Sequence, residues 1–439
     1  MHGIPRRDFM LGGLALAGAA AATSIEPAAS MSRPPRRIRL GVNYVPSRTW
    51  WYAWGDWHAD SIRRDLEDIS SIGFDHMRIQ LLWPEFQPNA AYVSEEKLER
   101  LAGLLDLADA AGLDVEVTVL DGQLSGFLFI PAWLIDNQTG KVHDFITTPG
   151  LVEAQQLLFD TIGRRIGGHR RFLGFDIANE IYWATIPLGL TVTPAQGDAW
   201  MRALIATCER VAPGKTHVNG VDKYPLEDDE EHVFSRRALA ETGAVSVTHP
   251  WEGFGSVPGG LFAQFGAASL QATHFTEFLI LYLQAFAGDP HRKVWIEEFG
   301  CSSQWTAAGT IPGWAEATIR NAASCDGVFG LTWWCSHDPS RRFAGMNPLE
   351  YDLGLYTNDR RRKPIGERLR SIVASFDAEP PAVLDRPHGL VIPDGAGADG
   401  VYPRFIELVK EGVRPKILLQ SKSTDADYLR ARGIESLID

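Results

Sequence analysis

The feature that most constrains the fold is a regular alternation of short apolar runs with longer helical patterns between Ile38 and Phe376. The short runs have strand length, and the segments between them repeat apolar residues three and four positions apart. The predicted helices are 61–72, 94–111 with Ser94 as its cap, 151–166, 197–211, 270–286, 314–324 and 365–376. This alternation predicts parallel strands joined by helices, and eight strands predict an α/β fold, a (β/α)8 TIM barrel with elaborated loops. The predicted strands are 38–44, 74–82, 113–120, 172–178, 215–220, 244–249, 294–298 and 328–334.

The chain is predicted to continue beyond the barrel, which we assign to residues 36–376. Residues 377–389 contain Glu379-Pro380-Pro381 and are interpreted as a linker. Residues 390–439 show a strand, helix, strand, helix pattern. Because about fifty residues form only a thin core, we expect this small α/β tail to dock on the barrel.

The first thirty residues have the pattern of an export signal. Arg6-Arg7 precede an apolar run from Leu11 to Ala22 that is rich in small residues. This order predicts a twin-arginine-type signal peptide over residues 1–30, with a disordered or interfacial segment as the alternative. The run is too short for a comfortable membrane span, so we expect a periplasmic or secreted protein with no membrane anchor after cleavage.

Charge and motif content restrict the partners. The formal net charge of −13 argues against nucleic acid and anionic membranes, and favours a neutral or weakly charged substrate. The sequence has no HExxH pattern, no GxSxG elbow and no glycine-rich phosphate loop, so neither a metal nor another cofactor is expected. Four cysteines are too few for a disulfide scaffold, although Cys301 and Cys335 follow neighbouring predicted strands and a bridge between them stays open.

Two glutamates end predicted strands. Glu180 follows the fourth run and Glu298 ends the seventh, at the face where (β/α)8 barrels carry their reactive groups. Side chains alternate along a strand, so the adjacent Glu297 should face the other way. Glycoside hydrolysis needs a proton donor and an anion on opposite sides of a sugar, which two such carboxyl groups provide. The alternative is that both are surface or structural carboxylates.

These residues, with several at other strand ends, resemble glycoside hydrolase family 5 over the whole predicted barrel. The resemblance rests on Arg78, Asn179-Glu180, His249, Glu298 in EEFG and Trp334 in GLTWW. It implies that Glu180 is the acid/base, Glu298 the nucleophile, Asn179 a ligand of the sugar 2-hydroxyl, Arg78 a neighbour of the nucleophile and Trp334 a platform under the sugar. Trp251 stands where many members have tyrosine, which puts a hydroxyl contact to the nucleophile in doubt.

Longer phrases, including GVNYVPSRTWWYAW and TWWCSHDPSR, resemble a bacterial subfamily of exo-β-mannosidases that act on mannose linked β-1,4 to N-acetylglucosamine. The resemblance implies a retaining exo-β-mannosidase with a β-linked oligosaccharide as its partner. An endo-β-1,4-mannanase or β-glucanase, and a non-catalytic sugar-binding barrel, are the alternatives. Gln123 lies in DGQLS, where a histidine-containing loop is expected, and is predicted to bind a sugar hydroxyl.

A second group of polar and aromatic side chains lies near predicted strand ends and is predicted to contact sugar hydroxyls. Its members are Asn43, Trp83, His337 and Asp338. The aromatic cluster Trp50, Trp51, Tyr52, Trp54 and Trp57 either presents flat faces to a sugar or packs on itself. The sequence leaves the oligomeric state open.

Overall fold

The structure is a computed structural model that describes residues 38–255 and 258–439. The predicted signal peptide, residues 1–30, lies outside the described residues. Among the described helices, none combines the length and the apolar character needed to cross a bilayer.

Seven parallel strands form the central sheet, in the order β4-β3-β2-β1-β7-β6-β5. The sheet curls into a barrel with helices outside it, which confirms the predicted fold class. The strands are β1 Arg39–Asn43, β2 His76–Leu82, β3 Asp114–Asp121, β4 Phe172–Asp176, β5 Ser246–Thr248, β6 Val294–Phe299 and β7 Val328–Trp333.

The predicted fifth strand, 215–220, is the exception. It forms a single bridge, between Asp176 and Val218, and is not a regular strand. The segment still lies beside β4, because the Thr216 N–H donates to the Leu173 carbonyl at 2.9 Å. On its other side, the Ala244 N–H donates to the His217 carbonyl at 2.8 Å, just before β5. The segment therefore fills the gap between β4 and β5, but its backbone is too irregular for a ladder.

Helices surround the sheet and begin and end near the predicted positions. The longer ones are α1 Ala59–Ile72, α2 Glu95–Ala111, α3 Pro149–Ile166, α4 Pro194–Val211, α5 Phe275–Phe286, α6 Ile311–Ala323 and α7 Pro364–Ala378. Shorter helical segments are Trp50–Trp54, Trp83–Phe86, Ala132–Leu134, Ile181–Thr185, Tyr224–Glu227, Arg236–Glu241, Gly260–Phe265, Leu270–Thr273 and Pro348–Asp352. Glycines end α1 and α2: Gly73 and Gly112 have φ of 94° and 75°, a left-handed conformation that glycine adopts without a Cβ clash.

Two local predictions about helices are wrong. The pattern over 270–286 predicted one helix, but the chain breaks at His274 and forms two. Ser94 was predicted to cap α2, yet its side chain makes no capping hydrogen bond. The acidic residues of the first turn, Glu95 and Glu96, are still placed where the helix dipole favours them.

The tail forms a three-stranded parallel sheet packed against α5. Its elements are β8 His388–Ile392, α8 Ala398–Lys410, β9 Lys416–Leu419, Gln420–Lys422, α9 Ala426–Ala431 and β10 Ser436–Ile438, the last of which the sequence did not predict. The rings of Phe278 and Tyr402 lie 4.8 Å apart, and the Tyr282 hydroxyl donates to the Ala396 carbonyl at 2.7 Å. Arg386, in the predicted linker, is buried and donates to Glu277 at 2.6 Å, so this segment also packs on the barrel.

All four cysteines are buried, and Cys301 and Cys335 are not bridged to each other. Their sulfur atoms point to different partners. The Cys301 thiol lies 3.8 Å from the Ser302 carbonyl, and the Cys335 thiol lies 3.5 Å from the His337 carbonyl.

The close approach of 215–220 to β4 requires glycine at position 174. A Cβ added there would lie 1.7 Å from the Thr216 carbonyl oxygen. We therefore expect Gly174→Ala to lower the free energy of unfolding by roughly 3 kcal/mol, because either the backbone or the barrel seam must shift. Urea denaturation followed by circular dichroism measures the change. Gly168→Ala is the matched control, since a Cβ at Gly168 meets nothing within 4 Å and should change the stability little.

Candidate active site

A cleft of about 290 Å³ opens at the carboxyl ends of the barrel strands. It gathers residues that are distant along the chain, including six that the sequence predicted as site residues. These six are Gln123, Asn179, Glu180, Trp251, Glu298 and Trp334. The other lining residues are Leu124, Ser125, Gly126, Trp183, Tyr224, Phe254, Asn347, Leu349, Glu350 and Leu353.

Glu180 follows β4 in a backbone conformation that is uncommon for a residue with a side chain. Its φ and ψ are both 42°, in the left-handed region, and its N–H donates to the Gly220 carbonyl at 3.0 Å. Such strain persists only where the surroundings enforce it, and it concentrates at functional sites. The carboxylate is 15% exposed and accepts a hydrogen bond from His249 Nδ1 at 2.8 Å. Glu180 thus faces the cleft with one oxygen oriented by the imidazole.

Glu298 lies at the end of β6 and is almost completely buried. Its Oε1 accepts a hydrogen bond from Arg78 Nη1, and its Oε2 lies 3.6 Å from His249 Nδ1. Burial raises the pKa of Glu298 to about 7, although the positive charges of His249 and Arg78 pull it down. Without these two cations the ionised carboxylate would be still less favourable in this position.

The two glutamates approach each other closely. One carboxylate oxygen of Glu180, one of Glu298 and a ring nitrogen of His249 all lie within 4.8 Å of one another. Carboxyl groups that flank a glycosidic bond are about 5 to 5.5 Å apart in retaining glycosidases and about 6.5 to 9.5 Å apart in inverting ones. A closest approach within 4.8 Å lies nearer to the retaining arrangement, in which the second carboxylate attacks the sugar directly.

Arg78, on β2, is the charge centre beneath the cleft. Its guanidinium is fully buried, and Nη2 donates to Asp176 at 2.6 Å and to Asn179 at 2.9 Å. Nη1 donates to Asn43 at 3.1 Å as well as to Glu298. The planar fork of arginine suits this arrangement, because it presents several donors in fixed directions. Arg78 therefore holds side chains from β1, β4 and β6 in one network.

Glu297 does not line the cleft, but the predicted alternation fails here: Glu297 and Glu298 both contact Arg78 and His249, at a point where the ladder to β7 shifts register between Ile296 and Phe299. Its Oε1 lies 3.2 Å from Arg78 Nε and its Oε2 lies 3.4 Å from His249 Nε2. Burial acts to raise the pKa of Glu297, but Arg78 and His249 outweigh it and hold the pKa below its ordinary value. Burial raises the pKa of Glu116 and of Asp121 well above their ordinary values, which favours the protonated forms of these two buried acids.

His249 connects the acids. Burial opposes its charged form, but the neighbouring Glu298 and the hydrogen bonds to Glu180 and Glu297 raise its pKa well above the ordinary value. Its two ring nitrogens face Glu180 on one side and Glu297 on the other, so the protonated ring can donate a hydrogen bond to each. This interaction orients Glu180 and adds a second positive charge beside Glu298.

Side chains around the pair shape the cleft. Asn179 accepts from Arg78 and donates to the Gln123 carbonyl at 2.9 Å, so its amide is held in one orientation. Trp334 is buried, and its ring lies 6.5 Å from that of Trp251 at an interplanar angle of 77°. Trp251 makes further ring contacts with Trp305 and Phe254. It extends the aromatic lining of the cleft in the place where the resemblance implied tyrosine.

Four predicted contact residues lie outside the cleft lining. Asn43 is fully buried and holds Arg78 from below. Trp83 is also fully buried, and its indole N–H donates to Gln87 at 2.9 Å. His337 stacks on Tyr356 and is completely enclosed.

Asp338 pairs with Lys363 at 3.0 Å and accepts from the Gly354 N–H at 2.8 Å. These four positions correct the prediction of sugar contacts, because each polar group already has a protein partner. The aromatic cluster behaves similarly: Trp50, Trp51 and Trp54 are buried among neighbouring rings rather than open to the cleft.

Several cleft residues were missed by sequence reasoning. Trp183 follows Glu180 by three positions and donates to Asp222 at 2.6 Å, so its proximity to the predicted acid was a usable signal. Tyr224 begins the short helical segment Tyr224–Glu227 and Phe254 lies in a loop, and neither has a sequence pattern that indicates function. Glu350 lies in a short helical turn, Pro348–Asp352, where nothing in the sequence separates it from a surface acid.

Two groups of acids and histidines within the described residues lie close enough to hold a cation. The first consists of Asp65, Asp68 and His337, where Arg360 already pairs with Asp68 at 2.6 Å and with Asp65 at 3.6 Å. The second is the group of Glu180, His249 and Glu298, where the protonated imidazole supplies the positive charge. In each group a basic side chain of the protein, Arg360 in the first and His249 in the second, already lies beside the acids.

Searches with family models match nothing in this chain, but solved structures do. A glutamate-to-alanine variant of GH5_18 from Streptomyces cattleya, in complex with Manβ1-4GlcNAc, shares 35% identity at a TM-score of 0.85, over 91% of this chain and 98% of that one. A GH5_18 variant from Bifidobacterium longum subsp. longum, also with Manβ1-4GlcNAc, shares 28% identity at a TM-score of 0.84, over 91% of this chain and 95% of that one. The exo-β-1,4-mannosidase Op5Man5 from an Opitutaceae bacterium, at 22% identity, shows a likeness of fold alone. Its TM-score is 0.71, over 87% of this chain and 69% of that one.

A barrel with two close carboxylates in an aromatic-lined cleft, oriented by buried cations, defines a glycoside hydrolase. The chain belongs to glycoside hydrolase family 5, subfamily 18, as its identity and coverage with the Streptomyces cattleya structure show. This result confirms the resemblance that the strand-end motifs indicated.

The raised pKa of Glu298 predicts the acid side of the pH profile. If Glu298 reacts as an anion, kcat/KM falls as the pH drops below about 7, because the carboxyl group then gains a proton. Arg78→Lys removes part of the stabilising hydrogen bonding, so the pKa of Glu298 should rise further and the acid limb should move to higher pH by roughly half to one unit. We expect kcat to fall about 100-fold in the same variant.

The measurement is initial rates on an aryl glycoside across pH 4 to 9. Arg361→Lys is the control, since Arg361 is exposed and pairs only near the surface. An unchanged acid limb in Arg78→Lys would contradict the coupling of Arg78 to Glu298.

Proposed function

We propose that the protein is a retaining exo-β-mannosidase that removes mannose linked β-1,4 to N-acetylglucosamine. The observation that carries the proposal is the pair of carboxylates within 4.8 Å, on a barrel whose GH5_18 neighbours were crystallised with Manβ1-4GlcNAc. The geometry supports the reaction type, and the neighbours' ligand supports the choice of sugar.

Glu298 attacks the anomeric carbon while Glu180 donates its proton to the departing oxygen. The carbon–oxygen bond of the glycoside breaks as a bond to the Glu298 carboxylate forms, which gives a covalent glycosyl-enzyme. Glu180, now an anion, takes a proton from a water molecule as the water oxygen attacks the anomeric carbon. The bond between this carbon and Glu298 breaks, and the sugar leaves with its original anomeric configuration. Arg78 and His249 stabilise the anionic form of Glu298 before attack, when it is the stronger nucleophile.

The shape of the cleft supports exo action. We infer that an aromatic wall, in which Trp50 lies 5.6 Å from Phe127 and 6.3 Å from Phe343 between ring centroids, backs the lining segments 123–126 and 347–353. Phe127 follows the lining residue Gly126 in the chain, and Tyr351 joins the wall through a hydrogen bond to the Phe343 carbonyl. A polysaccharide could not continue through this wall, so a terminal sugar fits the closed end better than an internal one.

The two alternatives are less well supported. An endo-β-1,4-mannanase or β-glucanase needs a trench that is open at both ends, which the aromatic wall opposes. A non-catalytic sugar-binding barrel would not need two buried cations to hold a carboxylate ionised beside a strained Glu180. Hydrolysis therefore accounts for more of the site than binding alone.

The substrate prediction is tested with matched disaccharides. We expect kcat/KM for Manβ1-4GlcNAc to exceed that for the Glcβ1-4GlcNAc epimer by at least about 100-fold, because a site built to pair one hydroxyl arrangement rejects the other. On β-1,4-mannan we expect mannose to appear before the viscosity falls. Rapid loss of viscosity without mannose would instead favour the endo enzyme, and no release from any glycoside would favour the binding protein.

The mechanism is tested through Glu180. Glu180→Ala should lose roughly 1,000-fold in kcat/KM for Manβ1-4GlcNAc, which needs a proton donor, but far less for 2,4-dinitrophenyl β-mannoside, whose leaving group does not. Azide should restore turnover and give β-mannosyl azide, identified by nuclear magnetic resonance. The α-azide would indicate inversion and contradict the double displacement.

Export is a further part of the proposal. It rests on Arg6-Arg7 and the apolar run that follows, and predicts a periplasmic or secreted enzyme. An exported enzyme would meet glycan fragments outside the cytoplasm, which agrees with the proposed substrate.

A further inference from the structure

A third carboxylate, Glu350, lines the cleft together with Glu180 and Glu298. It comes from the turn Pro348–Asp352 in the long loop after β7, and the double displacement does not use it. Its electrostatic neighbours include both reacting glutamates, whose charges, together with burial, raise the pKa of Glu350 to about 7. A half-buried acid beside two others is unfavourable unless it has a ligand or a structural role.

The partner of Glu350 is a side chain in a strained turn. Ser125 Oγ donates to Glu350 Oε2 at 3.1 Å, across the cleft wall from the loop after β3. Ser125 has φ of 51°, a left-handed conformation that is rare for serine, and Gly126 follows with φ of 83°. Ser125 and Gly126 form the tip of a two-stranded hairpin whose strands are Gln123–Leu124 and Phe127–Leu128. The hairpin therefore holds Ser125 against Glu350 at the cost of local strain.

This contact occupies only one carboxylate oxygen. The described structure gives Glu350 Oε1 no hydrogen bond of its own, while the residue lines the cavity that contains the two reacting acids. A carboxylate with a free oxygen at the end of a sugar pocket accepts hydrogen bonds from neighbouring sugar hydroxyls, and charge-assisted bonds of this kind are among the strongest polar contacts.

The position of Glu350 selects which hydroxyls it meets. The bond to be broken lies between Glu298 and Glu180, and Asn179, tied to Gln123, lies on the 2-hydroxyl side of the sugar that the family resemblance implies. Glu350 and Ser125 lie on the loops that also carry Phe343 and Phe127, whose rings contact Trp50, and we infer that this side closes one end of the cleft. Ring hydroxyls that point toward this end, away from the anomeric carbon, are those at positions 4 and 6.

We propose that Glu350, held by Ser125, is a specificity-determining residue that binds the 4- and 6-hydroxyl groups of the terminal sugar. The inference rests on the proposed glycosidase function and adds the group that recognises the chain end. A 4-linked internal sugar has no free 4-hydroxyl, so the same contact that binds a terminal residue disfavours an internal one. Glu350 thereby contributes to exo action chemically as well as sterically.

The experiment combines a protein variant with altered substrates. Glu350→Gln keeps the size of the side chain but weakens its acceptor, and should lower kcat/KM for 2,4-dinitrophenyl β-mannoside by roughly 10- to 100-fold. With the 4-deoxy analogue, the 6-deoxy analogue or both, the kcat/KM values of wild type and variant should differ by no more than about threefold, because the substrate lacks the hydroxyl that Glu350 binds. Ser125→Ala should show the same pattern with a smaller loss.

Glu379→Gln is the control, because Glu379 is an exposed carboxylate at the end of α7, and it should behave as wild type. Thermal melts check that each variant folds. If Glu350→Gln does not fold, Ser125→Ala tests the same contact. Equal losses on the parent and on both deoxy analogues would overturn the proposal, as would a loss that disappears only with a 2-deoxy substrate or an altered leaving group.

The two proposals fail in different ways. If wild type hydrolyses no β-mannoside but does hydrolyse another β-glycoside, the proposed substrate is wrong, and the same deoxy series on the accepted sugar still tests Glu350. If wild type is active on β-mannoside and Glu350→Gln loses nothing, only the role of Glu350 is wrong.

Discussion

The site depends on one buried guanidinium. Arg78 reaches side chains on three other strands or strand ends, and lies within ion-pair distance of Asp176, Glu297 and Glu298. Removing one partner from such a buried network typically costs about 3 to 5 kcal/mol, because an uncompensated charge remains inside. The acids also depend on Arg78, since burial alone would keep them protonated. The same contacts that hold the barrel mouth together therefore supply the ionised carboxylate that hydrolysis needs.

Glu298 and Glu180 have chemically identical side chains but different surroundings in the barrel mouth. Glu298 is deep in the barrel mouth beside Arg78, whereas Glu180 is partly exposed and contacts the protein mainly through His249. Different surroundings are what allow one carboxyl group to act as nucleophile and the other to exchange protons. His249 touches both groups, so their protonation states are linked through one imidazole.

The loops decide what the paired acids can act upon. The barrel places Glu180 and Glu298 together in the way that many glycosidases share, and this arrangement alone does not distinguish a chain end from an internal sugar. The end of the cleft that we propose to be closed lies between the hairpin after β3 and the turn after β7, which are joined by Ser125 and Glu350. Specificity therefore resides in contacts between segments more than two hundred residues apart.

The sequence by itself determined the barrel, seven of its eight predicted strands and the two acids at strand ends, because periodicity and strand direction are local properties that fix which end a residue occupies. It did not determine which polar residues face the sugar. Asn43 and His337 sit at strand ends like Glu298, yet Asn43 holds Arg78 and His337 is enclosed beside Tyr356. Only the tertiary structure decides this, because burial and partner choice depend on neighbours brought together by folding, as the Ser125–Glu350 contact also shows.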